Sequence, residues 1–354
     1  TFASFNEISE YLVETSPEII GIYCTLKTKL NVLKIIRFIR NNKDINTVKI
    51  VLGGPDVRQN AGNYLNFGAD VIISGEGEAA FNEVVQFFLQ SKNKYPEHVE
   101  GIVFKNKNGE IIHTGERELI DMDILPNPAR SRIDMDQYLN LWKLRHGYSS
   151  TTISTMRGCP YSCKWCSKSV FGSTYRRRSP ELVVDELEML KKSYHPDRFW
   201  FTDDVFTLSK KWLKTFSDEI TKRDISISYE CISRTDCMDD EILIHLKNSG
   251  CNKIWIGAES GSQKILNLMD RRTDILRTIQ VLKAIKKEGI SSGIFVMLGY
   301  PGEIKEDIYK TLTFLKETEP DEFTLTTAYP IKGTKMYNEL EHSFLKPFDW
   351  QTST

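Results

Sequence analysis

Apolar residues in the first 90 positions recur in two alternating spacings, one helical and one strand-like. Leu30, Leu33, Ile36 and Ile39 share one face of a predicted helix, whereas short apolar runs at 19–23, 48–52 and 69–73 fit buried strands. Helical spacing also precedes the first run and follows the last. Because strands that alternate with helices form parallel sheets, the pattern predicts a doubly wound, Rossmann-like α/β domain over residues 1–90.

Small or polar residues follow each predicted strand of this domain. Open α/β sheets bind ligands beyond the carboxyl ends of their strands, and glycine there lets the backbone approach a bulky ligand. We therefore predict a ligand site on three loops; a half-domain that binds nothing and only packs is the alternative. The candidate residues are Thr25, Leu26, Gly53, Gly54, Pro55, Gly75, Glu76, Gly77 and Glu78.

Residues 91–149 predict a connector rather than a domain. Strand-like runs at 101–104 and 110–113 flank Asn108-Gly109, a dipeptide typical of a tight hairpin turn. An extended crossing with Pro126 and Pro128 follows. We therefore expect one β-hairpin between the first domain and the next.

Regular alternation resumes at residue 150 and continues through six strand–helix units. The predicted strands are 152–156, 198–202, 227–233, 253–258, 293–298 and 322–328, and helices lie near 180–193, 209–223, 239–249, 272–288 and 303–318. Such repetition predicts a partial (β/α)6 barrel over residues 150–354. Barrel active sites lie at the carboxyl ends of the strands.

The polar and glycine residues of this second domain fall at those strand ends. We take them as candidate site residues, although a single acid such as Asp204 is equally well explained as a helix N-cap. The basic run at 176–178 is better explained as solvated surface. The candidates are Asp203, Asp204, Arg234, Glu259, Ser260, Gly299 and Pro301.

Composition narrows the possible partners. The 354 residues carry a net charge of −1, which gives no electrostatic argument for nucleic acid or an anionic membrane. No apolar run approaches the roughly 20 residues of a membrane helix, and residues 1–20 show no signal-peptide pattern. Together with unpaired cysteines, these features predict a cytoplasmic protein with reduced thiols.

Three of the seven cysteines lie within eight residues, spaced C-x3-C-x2-C, as Cys159, Cys163 and Cys166. Thiolates are soft ligands that suit iron–sulfur clusters or zinc. A structural zinc site takes four protein ligands, and no fourth is evident here, so a zinc knuckle is the weaker alternative. Three ligands on a four-iron cluster leave one iron open to a small molecule.

This spacing, with Trp165 just before the last cysteine, resembles the radical SAM family, as does the stretch from Trp255 to Ser262. The resemblance implies a [4Fe–4S] cluster on the three cysteines, with S-adenosylmethionine (SAM) on its open iron. It also implies SAM contacts along the barrel rim. Trp165 would lie beside the adenine, Asp203 or Asp204 at the ammonium, Arg234 at the carboxylate, Glu259 and Ser260 near the ribose, and Gly299 and Pro301 against the adenosine.

The loop order of the first domain, with GGP after one strand and GEGE after the next, resembles the cobalamin-binding domain that precedes many radical SAM modules. In that family these loops flank the corrin ring. No D-x-H-x-x-G is present, so we expect no histidine below the cobalt. The resemblance also suggests that the first strands of the domain, and an N-terminal segment, lie outside this sequence.

The resemblance as a whole implies a cobalamin-dependent (class B) radical SAM enzyme that cleaves SAM reductively and methylates an unactivated carbon or phosphorus centre. Radical cyclisation or rearrangement with cobalamin is one alternative, and a cobalamin-independent radical SAM enzyme is another. The rival of a different class is an iron–sulfur electron carrier, which is disfavoured because such carriers use four cluster ligands and no SAM pocket.

The partners implied by this activity are a small-molecule or peptide substrate and an electron donor, either a reductase or a flavodoxin or ferredoxin. No nucleic acid or membrane partner is expected. No motif identifies a catalytic residue or the side chains that select the substrate.

Overall fold

A computed structural model of the chain describes residues 3–91, 95–167, 171–344 and 349–352. The chain divides into two compact units: unit 1 holds residues 1–120, 167–172 and 331–354, and unit 2 holds residues 121–166 and 173–330. The predicted domains 1–90, 91–149 and 150–354 stay a prediction, but the compact units differ from them, because residues 121–149 belong to unit 2 and residues 91–120, 167–172 and 331–354 belong to unit 1. The hairpin near residue 109 joins the sheet of unit 1, and the last described residues join unit 1, where Trp350 packs edge-on against Tyr64.

Unit 1 is built on a five-stranded sheet in the order β1-β2-β3-β4-β5. The first three strands are parallel, as predicted, and the last two continue the sheet antiparallel as the predicted hairpin. The strands are β1 (Ile19–Tyr23), β2 (Lys49–Gly53), β3 (Val71–Ile73), β4 (Ile102–Lys105) and β5 (Ile111–His113).

Helices cover both faces of this sheet, which confirms the doubly wound pattern. The helices are α1 (Phe5–Thr15), α2 (Lys29–Asn41), α3 (Pro55–Gln59), α4 (Ala61–Phe67) and α5 (Glu78–Gln90). One buried cluster joins α1, α2 and α4 to one face, with Ile36 and Leu65 among its members. A second cluster joins α5 to the other face through Val84 and Phe88.

Unit 2 is built on a six-stranded half-barrel sheet in the order β13-β12-β11-β10-β9-β6, and all neighbouring strands are parallel. A separate antiparallel pair, β7 with β8, stands beside it. The strands are β6 (Ser150–Ile153), β7 (Met156–Arg157), β8 (Arg176–Arg177), β9 (Arg198–Phe201), β10 (Tyr229–Ser233), β11 (Cys251–Glu259), β12 (Ser291–Leu298) and β13 (Glu322–Thr327). This arrangement confirms the predicted partial barrel.

The helices of unit 2 follow the predicted series, with two additions that the periodicity did not reveal: α6 (Met135–His146) in the connector and the short α10 (Gln263–Leu268). The others are α7 (Pro180–Tyr194), α8 (Lys210–Lys222), α9 (Asp240–Asn248), α11 (Ile275–Lys287) and α12 (Lys305–Thr318), and α13 (Lys335–Leu340) belongs to unit 1. Asp239 and Asp274 cap α9 and α11 by accepting backbone N–H bonds.

Alternation along the strands of unit 2 separates two faces. One set of residues, such as Phe199, Tyr229, Ile254 and Ile294, forms the core between the sheet and its helices. The residues between them point to the opposite, inner face of the half-barrel. Among the described residues, no helix combines the length and apolar character that crossing a membrane requires.

Candidate active site

The three motif cysteines lie on a loop whose stem is the pair β7–β8. Gly158 begins this loop at φ +80°, and a Cβ added there would lie 2.1 Å from the carbonyl oxygen of Thr174. Only glycine allows the two sides of the stem to approach so closely with this backbone conformation. The first residue of the loop is therefore fixed by the fold.

Asp203, which is predicted to contact the SAM ammonium, forms hydrogen bonds and an ion pair with residues at this stem. Its buried carboxylate accepts hydrogen bonds from the backbone N–H groups of Thr155 (2.7 Å) and Met156 (3.1 Å) and from the Thr155 hydroxyl, and it pairs with Arg177 at 3.5 Å. Both carboxylate oxygens are thus committed to protein donors. A SAM contact by Asp203 or by the exposed Asp204 stays a prediction.

Two cations stand beside one of the motif sulfurs. Cys159 and Cys163 are buried and Cys166 is half-buried. Arg271 Nη1 lies 3.5 Å and Arg234 Nη1 3.7 Å from Cys163 Sγ. Within the described residues, no three His, Cys, Asp or Glu side chains form a group that could hold a metal ion. The described structure therefore does not gather the three motif thiols into one ligand group. The chemistry of the residues, three thiols with two guanidinium groups beside Cys163, fits the anionic thiolates of an iron–sulfur cluster.

Arg234 is tied to protein groups on every side. Its Nε and Nη2 donate to the two oxygens of Asp236 at 2.9 and 3.0 Å, and Nη2 also donates to the Arg271 carbonyl oxygen at 2.8 Å. The guanidinium lies 3.6 Å over the ring of Tyr161. The guanidinium nitrogens are therefore already hydrogen-bonded to protein groups, and this geometry favours a role in positioning the cysteine loop. The predicted bidentate contact of Arg234 with the SAM carboxylate stays a prediction.

Glu259 ends β11 in a left-handed conformation, φ +64°, and is 4% exposed. A non-glycine residue in this region stores strain, which is commonly found at functional sites. Burial raises the pKa of the Glu259 carboxyl to about 7, and the charges of Arg271 and Arg234 lower it in part. None of the hydrogen bonds among the described residues uses its carboxylate, so both oxygens can accept hydroxyl groups of a ligand.

Arg271 links this carboxylate to the cysteine loop, and sequence reasoning missed it. Its Nε and Nη2 donate to the Gly257 carbonyl oxygen at 3.1 and 2.7 Å. A Cβ at Gly257 would meet Arg271 Nη2 at 2.6 Å and Glu259 Oε1 at 2.8 Å, so glycine makes room for the pair. Arg271 lies in the turn between α10 and α11, where no motif marks it.

The same turn anchors the cysteine loop from the other side. Ser162 donates to Asp270 at 2.7 Å, and the backbone N–H of Lys164 donates to the Met269 carbonyl oxygen at 3.0 Å. Trp165 Nε1 is buried and has no hydrogen-bond partner in the part of the chain that the structure describes. Such an orphaned donor is one that a bound ligand can satisfy.

The remaining predicted SAM residues divide into two groups. The Ser260 hydroxyl is fully buried and bonds to Thr311 at 3.2 Å, so the structure gives it a packing role against α12. Gly299 and Pro301 lie exposed on the loop after β12, and the Gly299 N–H donates to Glu303 at 2.5 Å. That loop stays available to a ligand by its backbone and its shape.

The predicted cobalamin loops of unit 1 lie at the carboxyl ends of β1, β2 and β3, as expected. Their glycines differ in how much space surrounds them. A Cβ at Gly54, φ +111°, would lie 2.4 Å from the Cys24 carbonyl oxygen, so the fold itself requires glycine there. This corrects the idea that Gly54 is kept small by a ligand. Gly75 has no atom within 4 Å of the site of a Cβ, and Gly77 has only an ordinary 3.5 Å contact with Ile73. The Gly75–Gly77 loop is therefore the open cradle that fits a broad ring.

A buried polar cluster lies beneath these loops and was not predicted. Cys24 Sγ lies 3.1 Å from the Tyr64 hydroxyl, which donates to Asp56. Burial raises the pKa of Cys24 to about 11 and lowers the pKa of Lys29, which is 1% exposed. Cys24 is therefore a protonated packing thiol. The indole ring of Trp350 covers Lys29 at 5.7 Å.

Comparison with known proteins agrees with this division of the site. A model of the radical SAM superfamily matches residues 153–315, and a model of the B12 binding domain matches residues 2–85. An uncharacterized methyltransferase of Pyrococcus horikoshii is 29% identical over 99% of this chain and 75% of its own length. The anaerobic magnesium-protoporphyrin IX monomethyl ester cyclase of Rubrivivax gelatinosus is 26% identical over 95% of this chain and 61% of its own length.

The fold has a close counterpart among solved structures. The radical SAM methyltransferase TsrM of Kitasatospora setae, solved with cobalamin and a [4Fe–4S] cluster, matches with a TM-score of 0.78 at 19% identity, over 96% of this chain and 67% of that one. The chain therefore carries a radical SAM domain over residues 153–315 and a B12-binding domain ahead of it, over residues 2–85. At 19% identity, the likeness to TsrM shows that the two chains share a fold.

Proposed function

We propose that this chain transfers a methyl group to an unactivated carbon or phosphorus centre, with a [4Fe–4S] cluster, SAM and cobalamin as cofactors. One observation carries the proposal: a three-cysteine loop, with Arg234 and Arg271 beside Cys163, occurs in a chain that also holds a B12-binding domain. The relative from Pyrococcus horikoshii is named a methyltransferase. When bound, the cluster supplies the electron that cleaves SAM, and cobalamin supplies the transferable methyl group.

The residues of unit 2 would hold the first two cofactors. Cys159, Cys163 and Cys166 would bind three irons of the cluster. Glu259 would accept hydrogen bonds from the SAM ribose hydroxyls, since its carboxylate is buried and has no hydrogen bond of its own among the described residues. Trp165 would present its ring to the adenine and its orphaned Nε1–H to an acceptor on the ligand.

Arg271 and Asp203 would act by positioning. Arg271 contacts both Cys163 and the carbonyl oxygen of Gly257, two residues before Glu259, so it would fix the distance between the cluster ligand and the ribose acceptor. Asp203 fixes the stem of the cysteine loop. A group held rigidly before the ligand arrives costs no reorganisation at the moment of reaction.

Cobalamin would lie on the three loops of unit 1, at Thr25 and Leu26, at Gly53 to Pro55, and at Gly75 to Glu78. The open space at Gly75 and Gly77 is the structural feature that suits a flat macrocycle. None of these loops carries a histidine, so none of them would supply an imidazole ligand to the cobalt.

A second function has a specific observation behind it. The cyclase of Rubrivivax gelatinosus matches 95% of this chain, so cobalamin-dependent radical cyclisation is the alternative to methylation. Either reaction requires a small-molecule or peptide substrate and an electron donor, for which a reductase, a flavodoxin or a ferredoxin is suitable. The cytoplasmic location and the absence of a nucleic acid partner stay predictions.

Label transfer from SAM tests the proposal directly. The chain is reconstituted anaerobically with iron, sulfide and hydroxocobalamin and then given SAM with an isotopically labelled methyl group. We expect the label to appear on the protein-bound cobalamin and SAM to be cleaved by a strong reductant. The Cys163→Ala variant should lose the SAM cleavage, whereas Cys251→Ala, a buried cysteine in the core of the same unit, should retain it.

Cobalamin retention provides the second measurement. The parent chain should keep cobalamin through gel filtration, and its cob(II)alamin resonance should lack nitrogen superhyperfine splitting because no imidazole binds the metal. Gly77→Leu should release cobalamin without lowering the unfolding temperature, since the residue's backbone tolerates a side chain there. Chain that emerges free of cobalamin but still cleaves SAM would favour the cobalamin-independent alternative.

A further inference from the structure

The inner face of the half-barrel in unit 2 carries an aromatic surface that the cofactor sites leave unused. Trp255 on β11 stacks on Phe295 of β12, with ring centroids 5.0 Å apart and planes 19° apart. Trp200 on β9 meets Trp255 edge-on at 6.2 Å. Trp200 and Phe295 remain partly exposed, whereas Trp255 is buried beneath them. We call these three residues the aromatic floor.

Glycine on the neighbouring strand makes this floor flat. Gly293 pairs with Trp255 across the β11–β12 ladder, and a Cβ at Gly293 would lie 2.4 Å from the indole ring. Any larger residue would lift the ring off the sheet. The backbone of β12 is therefore shaped to let Trp255 lie against it, next to Phe295.

The charges beside the floor are paired with one another, including Lys253, whose Nζ lies 5.6 Å from the centroid of the Trp255 ring. Glu230 accepts hydrogen bonds from Trp255 Nε1 at 2.9 Å and from Tyr148 and Arg198 at 3.2 Å each. Lys253 pairs with Glu322 at 2.5 Å. Among the described residues, no unpaired charge reaches the floor, and the exposed side chains beside it are hydroxyls such as Thr152 and Thr324.

The floor lies on the same strand face as the proposed SAM site. Trp255 and Gly257 point to one side of β11, and Phe295 pairs with Gly257 in the ladder. The ladder shifts register between Gly257 and Glu259, but Glu259 Oε1 lies 2.8 Å from the site of a Cβ at Gly257, so the carboxylate lies on the same face. The β12 partners of Trp255 and Glu259 are Gly293 and Val296, which corresponds to roughly 10 Å along the sheet at about 3.3 Å per residue. A substrate ring stacked on Phe295 would therefore lie between Trp255 and Glu259 along the sheet.

From this geometry we infer that the substrate presents an uncharged, planar aromatic group, which stacks on Phe295 and Trp200 at the bottom of the barrel. The inference rests on the proposed function, because it assumes that the barrel interior receives the substrate. A phosphate, phosphonate or carboxylate group of the substrate would not sit on this floor, since the two cations beside it, Arg198 and Lys253, are already paired with Glu230 and Glu322. Phe295 and Trp200 are thus assigned as specificity-determining residues.

A fluorine NMR titration of the full chain with 5-fluoroindole tests the inference, with fluorocyclohexane as a saturated probe of similar size. We expect 5-fluoroindole to bind more tightly than fluorocyclohexane. Phe295→Leu should weaken binding of the indole roughly three- to tenfold, the range that an aromatic stacking contact supplies. The control Phe323→Leu removes an exposed ring from the other face of the same sheet and should leave binding unchanged.

Trp200→Leu is the second variant and is used alone if Phe295→Leu fails to fold. Equal binding of the two probes, no binding of 5-fluoroindole, or an equal effect of the control Phe323→Leu would each overturn the inference. The titration needs neither the cluster nor SAM cleavage. Failure of the label-transfer experiment with intact aromatic binding would therefore count against the proposed function and not against the aromatic floor.

Discussion

Replacing Glu259 by glutamine isolates the cost of burying the carboxylate that we assign to SAM. Glutamine keeps the size and shape of the side chain and the φ of +64°, so backbone strain is common to both proteins. Only the ability to ionise is lost. Burial raises the pKa of Glu259 from its ordinary 4.5 to about 7, even with the charges of Arg271 and Arg234 lowering it in part.

The sign of the effect follows from proton linkage. Between about pH 4.5 and about pH 7 the folded chain keeps the Glu259 proton while the unfolded chain has lost it. The folded state therefore binds more protons, and the stability of the parent falls as the pH rises through that interval and then becomes level. The pKa difference corresponds to roughly 3 kcal/mol in total, since one pKa unit is about 1.4 kcal/mol.

Urea unfolding of the cofactor-free parent and the Glu259→Gln variant, from about pH 5 to about pH 8, measures this difference. As the pH rises, the free energy of unfolding of the variant should increase relative to that of the parent, by up to roughly 3 kcal/mol near neutrality. The control Glu306→Gln, at an exposed glutamate of the same unit, should follow the parent at every pH. Parallel profiles for parent and Glu259→Gln would show that the carboxylate is not desolvated as the structure indicates.

Three further predictions concern the cysteine loop. Replacing the three motif cysteines by alanine should remove the iron and the visible absorption of the reconstituted chain, whereas single alanine changes at Cys24, Cys231 or Cys251 should not; iron that stays near four per chain in the triple variant would contradict the assignment, and iron analysis decides. Asp203→Asn should destabilise unit 2 by about 3 kcal/mol and lower its iron content, because the substitution breaks a buried ion pair with Arg177, whereas Asp204→Asn should change stability little. Thermal unfolding and iron analysis compare the two variants, and equal effects would refute the role of Asp203 in the stem. Gly158→Ala should destabilise the chain by more than about 1 kcal/mol and impair cluster assembly, while Gly289→Ala, also at positive φ but in open space, should add only backbone strain. Equal unfolding temperatures and iron contents for the two variants would show that the contact of position 158 with Thr174 does not require glycine.

Local pattern was sufficient for the strands of the two large sheets, for most of the helices and for the candidate cluster ligands, but it missed α6 and α10. Apolar residues at strand and helix spacing depend only on neighbours in sequence, so five of the six barrel strands could be predicted to within two residues at each end. The first was displaced, because Thr155 bonds to Asp203 and Met156 pairs with Arg177 in the stem of the cysteine loop. The three cysteines lie within eight residues, so their spacing is a property of the sequence itself.

The identity of a residue's partners was decided only by the tertiary structure. Asp203 and Arg234 were correctly singled out as unusual, yet their charges are met by Arg177 and Asp236, and no periodicity indicates such pairings. Arg271 reaches Cys163 across 108 positions of sequence. Gly54 is small because the Cys24 backbone passes beside it.

Sequence by itself therefore determined the class of protein: a doubly wound domain, a partial barrel and a three-cysteine motif typical of a four-iron cluster with one open iron. The tertiary structure decided which polar side chains remain available to a ligand, and which are used up in holding the loop. It also brought Trp200, Trp255 and Phe295, which come from three separate strands, onto one surface. Burial, charge compensation and ring stacking depend on which strands become neighbours, and that information is absent from the spacing of residues along any one strand.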